Sequence, residues 1–341
     1  MTGLAFELRN VSRRFAIRRQ LSEHLSSWFG YNQPKAVHAL SDVSLKVSSG
    51  EVLGIVGESG CGKSTLARIM AGLVKPSEGE VYFEGQRVDE LGERERVNAM
   101  LPAQLVFQNP FSSLNPRHRI RTILSQAALL HDLTQRNHVD EFVSSLLQSV
   151  GLPPSVSTRF AHEFSGGQLQ RISLARSLSV SPRVLICDEP VSALDVSVQA
   201  QILNLLLELQ TRQNLTYIII SHDLSVIRHL SDRVAVMYLG RVVEEGPAAA
   251  LFENPQHPYT QALVRESLES AATRRLFKPI EGEIPSPINL PSGCGFHPRC
   301  PVSIDRCRLE RPELRSFGPG RKVACHLVEA DHSQQVTNGV K

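Results

Sequence analysis

Nine consecutive residues, Gly57-Glu58-Ser59-Gly60-Cys61-Gly62-Lys63-Ser64-Thr65, combine three glycines with a lysine and three hydroxyls. Glycines let a backbone curl so that its N–H groups converge, and a helix that starts there adds its own free donors. Converging donors beside a lysine suit a phosphate chain. All nine residues are candidate nucleotide contacts. Lys63 is placed to reach the β- and γ-phosphates, Ser64 to offer a hydroxyl to Mg²⁺, and Thr65 to bond the phosphates further. A second set follows an apolar run: Asp188 and Glu189 come directly after Val184-Leu-Ile-Cys187. Asp188 suits the Mg²⁺ shell, through water, and Glu189 a base that polarises the attacking water. Gln108 ends another apolar run and has the reach for both metal and water. His222 ends the run at 215–221, at the carboxyl edge of a sheet, where ligands collect.

Ser165-Gly166-Gly167-Gln168 opens a further helical pattern, with Leu169, Ile172 and Ala175 as its apolar positions. A hydroxyl and bare N–H groups at a helix start form an anion site. One chain with a phosphate loop has no use for a second. Across a two-fold interface, the same turn would cap the γ-phosphate held by the neighbour, and the nucleotide would become the glue of the pair.

The elements that must hold these groups are legible in outline. Residues 4–11 and 40–47 alternate apolar and polar, as half-buried antiparallel strands do. Residues 51–56, 104–108, 183–189 and 215–221 are apolar without alternation. Such strands are buried on both faces, as in a parallel sheet covered by helices. Residues 63–73 and 196–212 are helical on pattern, and 117–150 form a helical insert anchored by Leu129, Leu130, Val143, Leu146 and Leu147. Leu21, Leu25, Trp28 and Phe29 suggest a short helix packed on its own domain.

Composition bounds the rest. A chain of 341 residues suits one large domain with an appendage, and 41% apolar residues suffice for its core. A net charge of +3 gives no reason to propose nucleic acid as a partner. Arg13, Arg14, Arg18 and Arg19 read as a solvated face. No run approaches the roughly 18 apolar residues of a membrane span, and the N-terminus lacks the pattern of a signal peptide. The expected place is the cytosol or the cytosolic face of a membrane, where the six cysteines are not expected to pair. Prolines and cysteines thicken after about residue 250. We therefore expect a nucleotide-binding domain over 1–250, with a helical subdomain near 110–165, and an extension over 251–341 whose last ten residues are disordered.

These residues, in this order, resemble the ATP-binding cassette (ABC) family over roughly 4–250. The loop at 57–65 resembles its Walker A and Gln108 its Q-loop. Ser165–Gln168 resemble its signature, with Phe164 in place of the usual leucine. Asp188-Glu189 resemble Walker B, Ser192-Ala-Leu-Asp195 the D-loop, and His222 the switch histidine. The resemblance implies a P-loop NTPase core carrying an antiparallel β subdomain and a helical subdomain. It also implies ATP and Mg²⁺ as cofactors, Asp195 near the nucleotide, and Phe15 as the aromatic that stacks on adenine. The tail narrows the resemblance. Asn254-Pro-Gln-His-Pro-Tyr259-Thr260, Gly282-Glu-Ile-Pro-Ser-Pro287 and Cys294-Gly-Phe-His-Pro-Arg-Cys300-Pro resemble oligopeptide/dipeptide importer ATPases. That implies a bacterial importer at the cytoplasmic face of the inner membrane. Its partners would be a second ABC ATPase subunit (a paralogue or another copy), two transmembrane permease subunits and an extracytoplasmic solute-binding protein. Relatives carry peptides, nickel or opines, so the cargo stays open.

Cys294, Cys300, Cys307 and Cys325 crowd into a small proline-rich segment. Four thiolates suit a tetrahedral metal or an iron–sulfur cluster. The resemblance favours a [4Fe–4S] cluster. Zinc and plain reduced thiols remain open, and His297 reads as a bystander. Competing functions are a soluble ABC ATPase, which would need long coiled coils or two cassettes in one chain, an exporter, and a metal-binding regulatory module. A GTPase would need an Asn-Lys-x-Asp motif, and none is present.

Overall fold

The computed structural model describes residues 3–17, 36–192, 194–271 and 280–328. The helix read at Leu21 to Phe29, the arginines 18 and 19, and the last ten residues lie outside the described residues.

β1 (Leu4–Ala16) and β2 (Ala36–Ser48) pair antiparallel, as their alternation requires. β3 (Val52–Val56) is buried throughout and runs through the glycine loop into α1 (Lys63–Met70). β4 (Glu78–Phe83) and β5 (Gln86–Arg87) complete a four-stranded sheet of order β2-β1-β4-β5. After α2 (Glu93–Ala99) comes β6 (Ala103–Val106), and then the helical insert: α3 (Pro110–Ser113), α4 (Ile120–Leu130) and α5 (Val139–Ser149). α6 (Gly166–Leu178), β7 (Val184–Asp188), α7 (Val196–Gln213), β8 (Thr216–Ile220) and α8 (Leu224–Leu230) follow in βα alternation. β9 (Arg233–Tyr238) and β10 (Arg241–Pro247) form a hairpin. α9 (Ala248–Glu253) and α10 (Pro258–Ala271) lead into the tail, which holds α11 (Asp305–Leu309), β11 (Arg315–Ser316) and β12 (Lys322–Val323).

The central sheet has eight strands in the order β11-β12-β10-β9-β3-β8-β7-β6. β3, β6, β7 and β8 are parallel to their neighbours in this core. Their side chains feed two hydrophobic cores, one on each face. Leu53, Ile55, Ile186, Ile218 and Ile220 pack with α1 and the antiparallel sheet, through Phe6, Leu8, Val43, Leu66 and Met70. Val52, Val56, Leu185, Cys187, Tyr217 and Ile219 pack with the insert and α6–α8, through Leu124, Leu147, Ile172 and Leu206. Gln108 lies two residues past the end of β6, on a loop and not on the strand itself.

The tail joins the same sheet. β12 pairs with β10 at Glu244 and Glu245. Both carboxylates are buried, at 1% and 3% exposure, so each needs partners. Glu245 takes Arg233 and Lys322. Glu244 accepts the backbone N–H groups of Gln256 and His257, each at 2.9 Å, and faces Arg321 at 3.2 Å. The segment Asn254–Thr260 is thus hung on one buried glutamate. His257 Nδ1 in turn accepts the N–H of Tyr259 at 3.1 Å.

Burial depresses the His257 imidazole from 6.5 to about 4. The unfolded chain therefore binds a proton between those values that the folded chain refuses. Stability is full above pH 6.5 and falls as the pH drops towards 4. The loss at about 1.4 kcal/mol per pH unit amounts to roughly 3 kcal/mol. In urea unfolding at pH 7.5 and pH 4.5, His257→Asn should lose less stability on acidification than the parent. Equal losses would mean that His257 does not titrate this way.

Candidate nucleotide-binding site

β3 delivers the glycine loop to the carboxyl edge of the sheet, and α1 begins at Lys63. Two glycines there are obligatory on steric grounds. A Cβ on Gly57 would meet the Met237 carbonyl oxygen at 2.2 Å, and one on Gly62, at φ 107°, would meet that of Ala39 at 2.3 Å. The loop is therefore clamped between β9 and β2. Lys63 is buried, and its Nζ donates to the carbonyls of Gly57 and Glu58 at 2.7 and 2.9 Å.

A cavity of about 600 Å³ opens over this loop. Ser59, Gly60, Gly62, Lys63, Ser64 and Thr65 form its floor. Gln108, Glu189 and His222 come from three other strand ends to line one wall. Phe15 also lines the cavity; the residue is 37% exposed, and the Arg13 guanidinium covers one face of its ring. The sequence-derived set is thus largely brought together. Val37, Ala39 and Pro287 also line the cavity, and sequence reasoning had named none of them for this site.

The acidic pair divides as its two positions require. Ser64 Oγ donates to Asp188 Oδ1 at 3.1 Å. Burial raises the Asp188 carboxyl above its usual range, the Ser64 bond opposes this, and the charge of Glu189 adds to it. A carboxylate that burial disfavours is one that a divalent cation stabilises. Glu189 has φ 50°, a conformation that costs a non-glycine residue about 1–3 kcal/mol. Its N–H donates to the Ile220 carbonyl at 2.9 Å, which holds it there. The strain aims the carboxylate at the cavity, between the Gln108 amide at 2.6 Å and His222 Nδ1 at 3.2 Å. A carboxylate bracketed in this way can polarise a water beside a bound phosphate.

Other candidates lie elsewhere. Glu58 turns its carboxylate away from the cavity, towards Arg299 of the tail. Cys61 is buried and Cys187 fully so. Burial pushes the first thiol up and the second to about 12, so both are packing groups. Ser165–Gln168 and Asp195 are not among the residues lining the cavity. At the helix start at 165, two of the donors read from sequence are engaged within the turn itself. Ser165 Oγ accepts the Gln168 N–H at 3.4 Å, and Gln168 Oε1 accepts the Ser165 N–H at 3.1 Å, a reciprocal capping box. Gly167 has a packing role as well, since a Cβ there would meet Val198 Cγ1 at 2.4 Å.

The four tail cysteines lie in one neighbourhood but do not close into a ligand set. Cys307 and Cys325 are buried, Cys294 and Cys300 half-buried. Burial raises the Cys294 thiol, and the other three thiols push it further in the same direction. Among the described residues, however, no three His, Cys, Asp or Glu side chains are placed to hold a metal ion. The structure thus lends no support to a tetrahedral zinc or an iron–sulfur cluster, although the donor chemistry suits soft metals. His297 Nδ1 bonds the Cys294 carbonyl at 2.9 Å, a backbone contact consistent with a bystander.

The fold and the site define an ABC-type ATPase cassette. An ATP-binding cassette, MJ0796, solved with ADP and Pi, superposes with a TM-score of 0.62 at 26% identity, over 71% of this chain and 98% of that one. The family model for ABC transporters matches residues 40–192, and that for the oligopeptide/dipeptide transporter C-terminal region matches 243–307. A probable peptide ABC transporter ATP-binding protein of Sinorhizobium fredii is 50% identical over 89% of this chain and 86% of its own. The oligopeptide transport ATP-binding protein AppF of Bacillus subtilis is 48% identical over 94% and 96%. OppF of Escherichia coli is 47% identical over 89% and 91%. The chain belongs to the ATP-binding proteins of the oligopeptide/dipeptide ABC transporter family. It is an ABC ATPase.

Gly167→Ala should destabilise the chain by about 1–3 kcal/mol through overpacking against α7. Adding Val198→Ala should return most of that, as read from denaturant midpoints. A double variant no more stable than the single would remove the steric explanation.

Proposed function

We propose that this chain is the ATP-hydrolysing subunit of a bacterial importer for peptides. The observation that carries the mechanism is the Glu189 carboxylate, held between Gln108 and His222 over the floor formed by Lys63 and Ser64. Lys63, the loop N–H groups and Thr65 bind the phosphates, and Phe15 meets the base. Ser64 and Asp188, with Gln108, would hold Mg²⁺, which would supply charge neutralisation at the phosphates. Glu189 polarises the water, while His222 and Gln108 orient it.

Two cassettes close head to tail in this reading, so that Ser165–Gln168 and Asp195 reach the partner's nucleotide. That these residues do not line the chain's own cavity favours such an arrangement. The second cassette is a paralogue or another copy, and closure gates two membrane permeases fed by a solute-binding protein outside the membrane. Among the described residues no helix is long and apolar enough to cross a membrane, which suits a peripheral subunit on the cytoplasmic face. Residues 1–250 form the nucleotide-binding domain, with its helical subdomain near 110–165, and 251–341 the extension. The strong similarity to peptide-transporter subunits over nearly nine-tenths of the chain favours peptides over nickel or opines. Cys294, Cys300, Cys307 and Cys325 are the candidate ligands of a [4Fe–4S] cluster, with zinc as the alternative, on their donor chemistry and the resemblance of the tail to importer ATPases. Iron and acid-labile sulfide absent from the anaerobically purified complex would end that assignment.

Glu189→Gln should keep ATP binding and lower turnover by roughly 10²–10⁴-fold, the usual share of a general base. The readouts are nucleotide affinity and steady-state hydrolysis by the reconstituted transporter, with uptake of labelled peptide alongside. Undiminished hydrolysis would take Glu189 out of the role.

A further inference from the structure

The cysteine-bearing tail reaches the nucleotide site at two separate points. At the first, the Arg299 guanidinium grips the Glu58 carboxylate with both ends of its fork, Nη1 to Oε2 at 2.7 Å and Nη2 to Oε1 at 2.9 Å. The Arg299 side chain is only 4% exposed. Its remaining donors bond the carbonyls of Glu281 and Ile280 and the Tyr238 hydroxyl. The backbone of the same loop residue is also held, because Glu58 N–H donates to the Tyr259 hydroxyl at 2.8 Å. Tyr259 packs against Tyr238 and Phe296, with ring centres 4.7 and 5.4 Å away. At the second point, the Pro287 carbonyl accepts the His38 N–H at 2.9 Å, which sets the Pro287 ring into the cavity wall on the side of Phe15 and Val37.

An acidic side chain in a loop that receives a polyanion is a problem unless it is turned away and neutralised. A buried bidentate arginine does both. The Glu58 carbonyl is also one of the two to which Lys63 Nζ donates, so its position affects the lysine directly. We propose that the C-terminal extension is a working part of the nucleotide site: Arg299 and Tyr259 are positioning residues for the phosphate loop, and Pro287 is a wall against the base. The proposal rests on the reading of this cavity as the ATP site.

The test uses the full chain in the reconstituted transporter, with affinities measured for Mg·ATP and for inorganic tripolyphosphate. Arg299→Ala should raise the KM and Kd for ATP roughly 10- to 100-fold, the scale of an ångström-sized misplacement, with kcat at saturation changed far less. It should weaken tripolyphosphate in parallel. Arg299→Lys, which keeps the charge and loses the fork, should fall between. Glu58→Ala with Arg299→Ala should bind no worse than Arg299→Ala alone, because the unpaired, half-buried carboxylate is gone. Pro287→Gly should weaken ATP and leave tripolyphosphate unchanged. If Arg299→Ala does not fold, Tyr259→Phe carries the phosphate-side test, with a smaller loss of the same pattern. ATP affinity unaltered in these variants, or losses at Glu58 and Arg299 that multiply, would overturn the proposal while leaving the site reading intact. A parent chain that fails to bind Mg·ATP at all would overturn the site reading, and this proposal with it.

Discussion

A loop of nine residues must hold its N–H groups inward against their mutual repulsion, and the bonds from Lys63 Nζ to the Gly57 and Glu58 carbonyls are only part of what holds it. The carbonyls of Met237 and Ala39 come so close that positions 57 and 62 admit only glycine. That close approach links three elements: β3, which supplies the loop, the β9–β10 hairpin behind it, and the antiparallel sheet beside it. The two hydrophobic cores on either face of the central sheet keep those elements in register. The phosphate loop is thus a product of the whole packing and not of its own nine residues.

The catalytic wall follows from the same parallel sheet. Three strands end side by side, and each brings polar residues to that edge: Gln108 two residues past β6, Asp188 at the last position of β7 with Glu189 just beyond it, and His222 two residues past β8. Parallel strands share a direction, so their ends share an edge. The strain at Glu189 is where local preference gives way to function.

The charge arrangement in the tail obeys one rule throughout. Glu244 and Glu245 are buried and Glu58 half-buried, and each meets an arginine. Buried carboxylates without partners are costly, so these pairs specify how the extension docks. Glu244 fastens the Asn254–Thr260 segment and Arg321 to β10. Glu58 fastens Arg299 to the phosphate loop. The proline-rich segment owes its conformation to these anchors, since it forms little regular structure of its own.

Much of the chemistry was legible in the residues themselves, because the motifs are local. Glycine spacing, an apolar run ended by two acids, and alternation in β1 and β2 are properties of neighbours along the chain, and they determined the P-loop core and most of the site. Gln108 was read at a strand end but lies on the loop beyond it, since ladder bonding and not apolar character decides where a strand stops. At the start of α6 the Gln168 side chain folds back, so that two of the expected donors, the N–H groups of Ser165 and Gln168, are engaged within the turn. What only the tertiary structure decided was the meeting of distant residues. Arg299 lies 241 positions from Glu58, and Pro287 far from His38, with no periodicity to connect them. β11 and β12, two residues each, carry no pattern long enough to read. Their pairing, like the grip of the tail on the phosphate loop, exists because buried carboxylates and unpaired strand edges must find partners once the chain has closed.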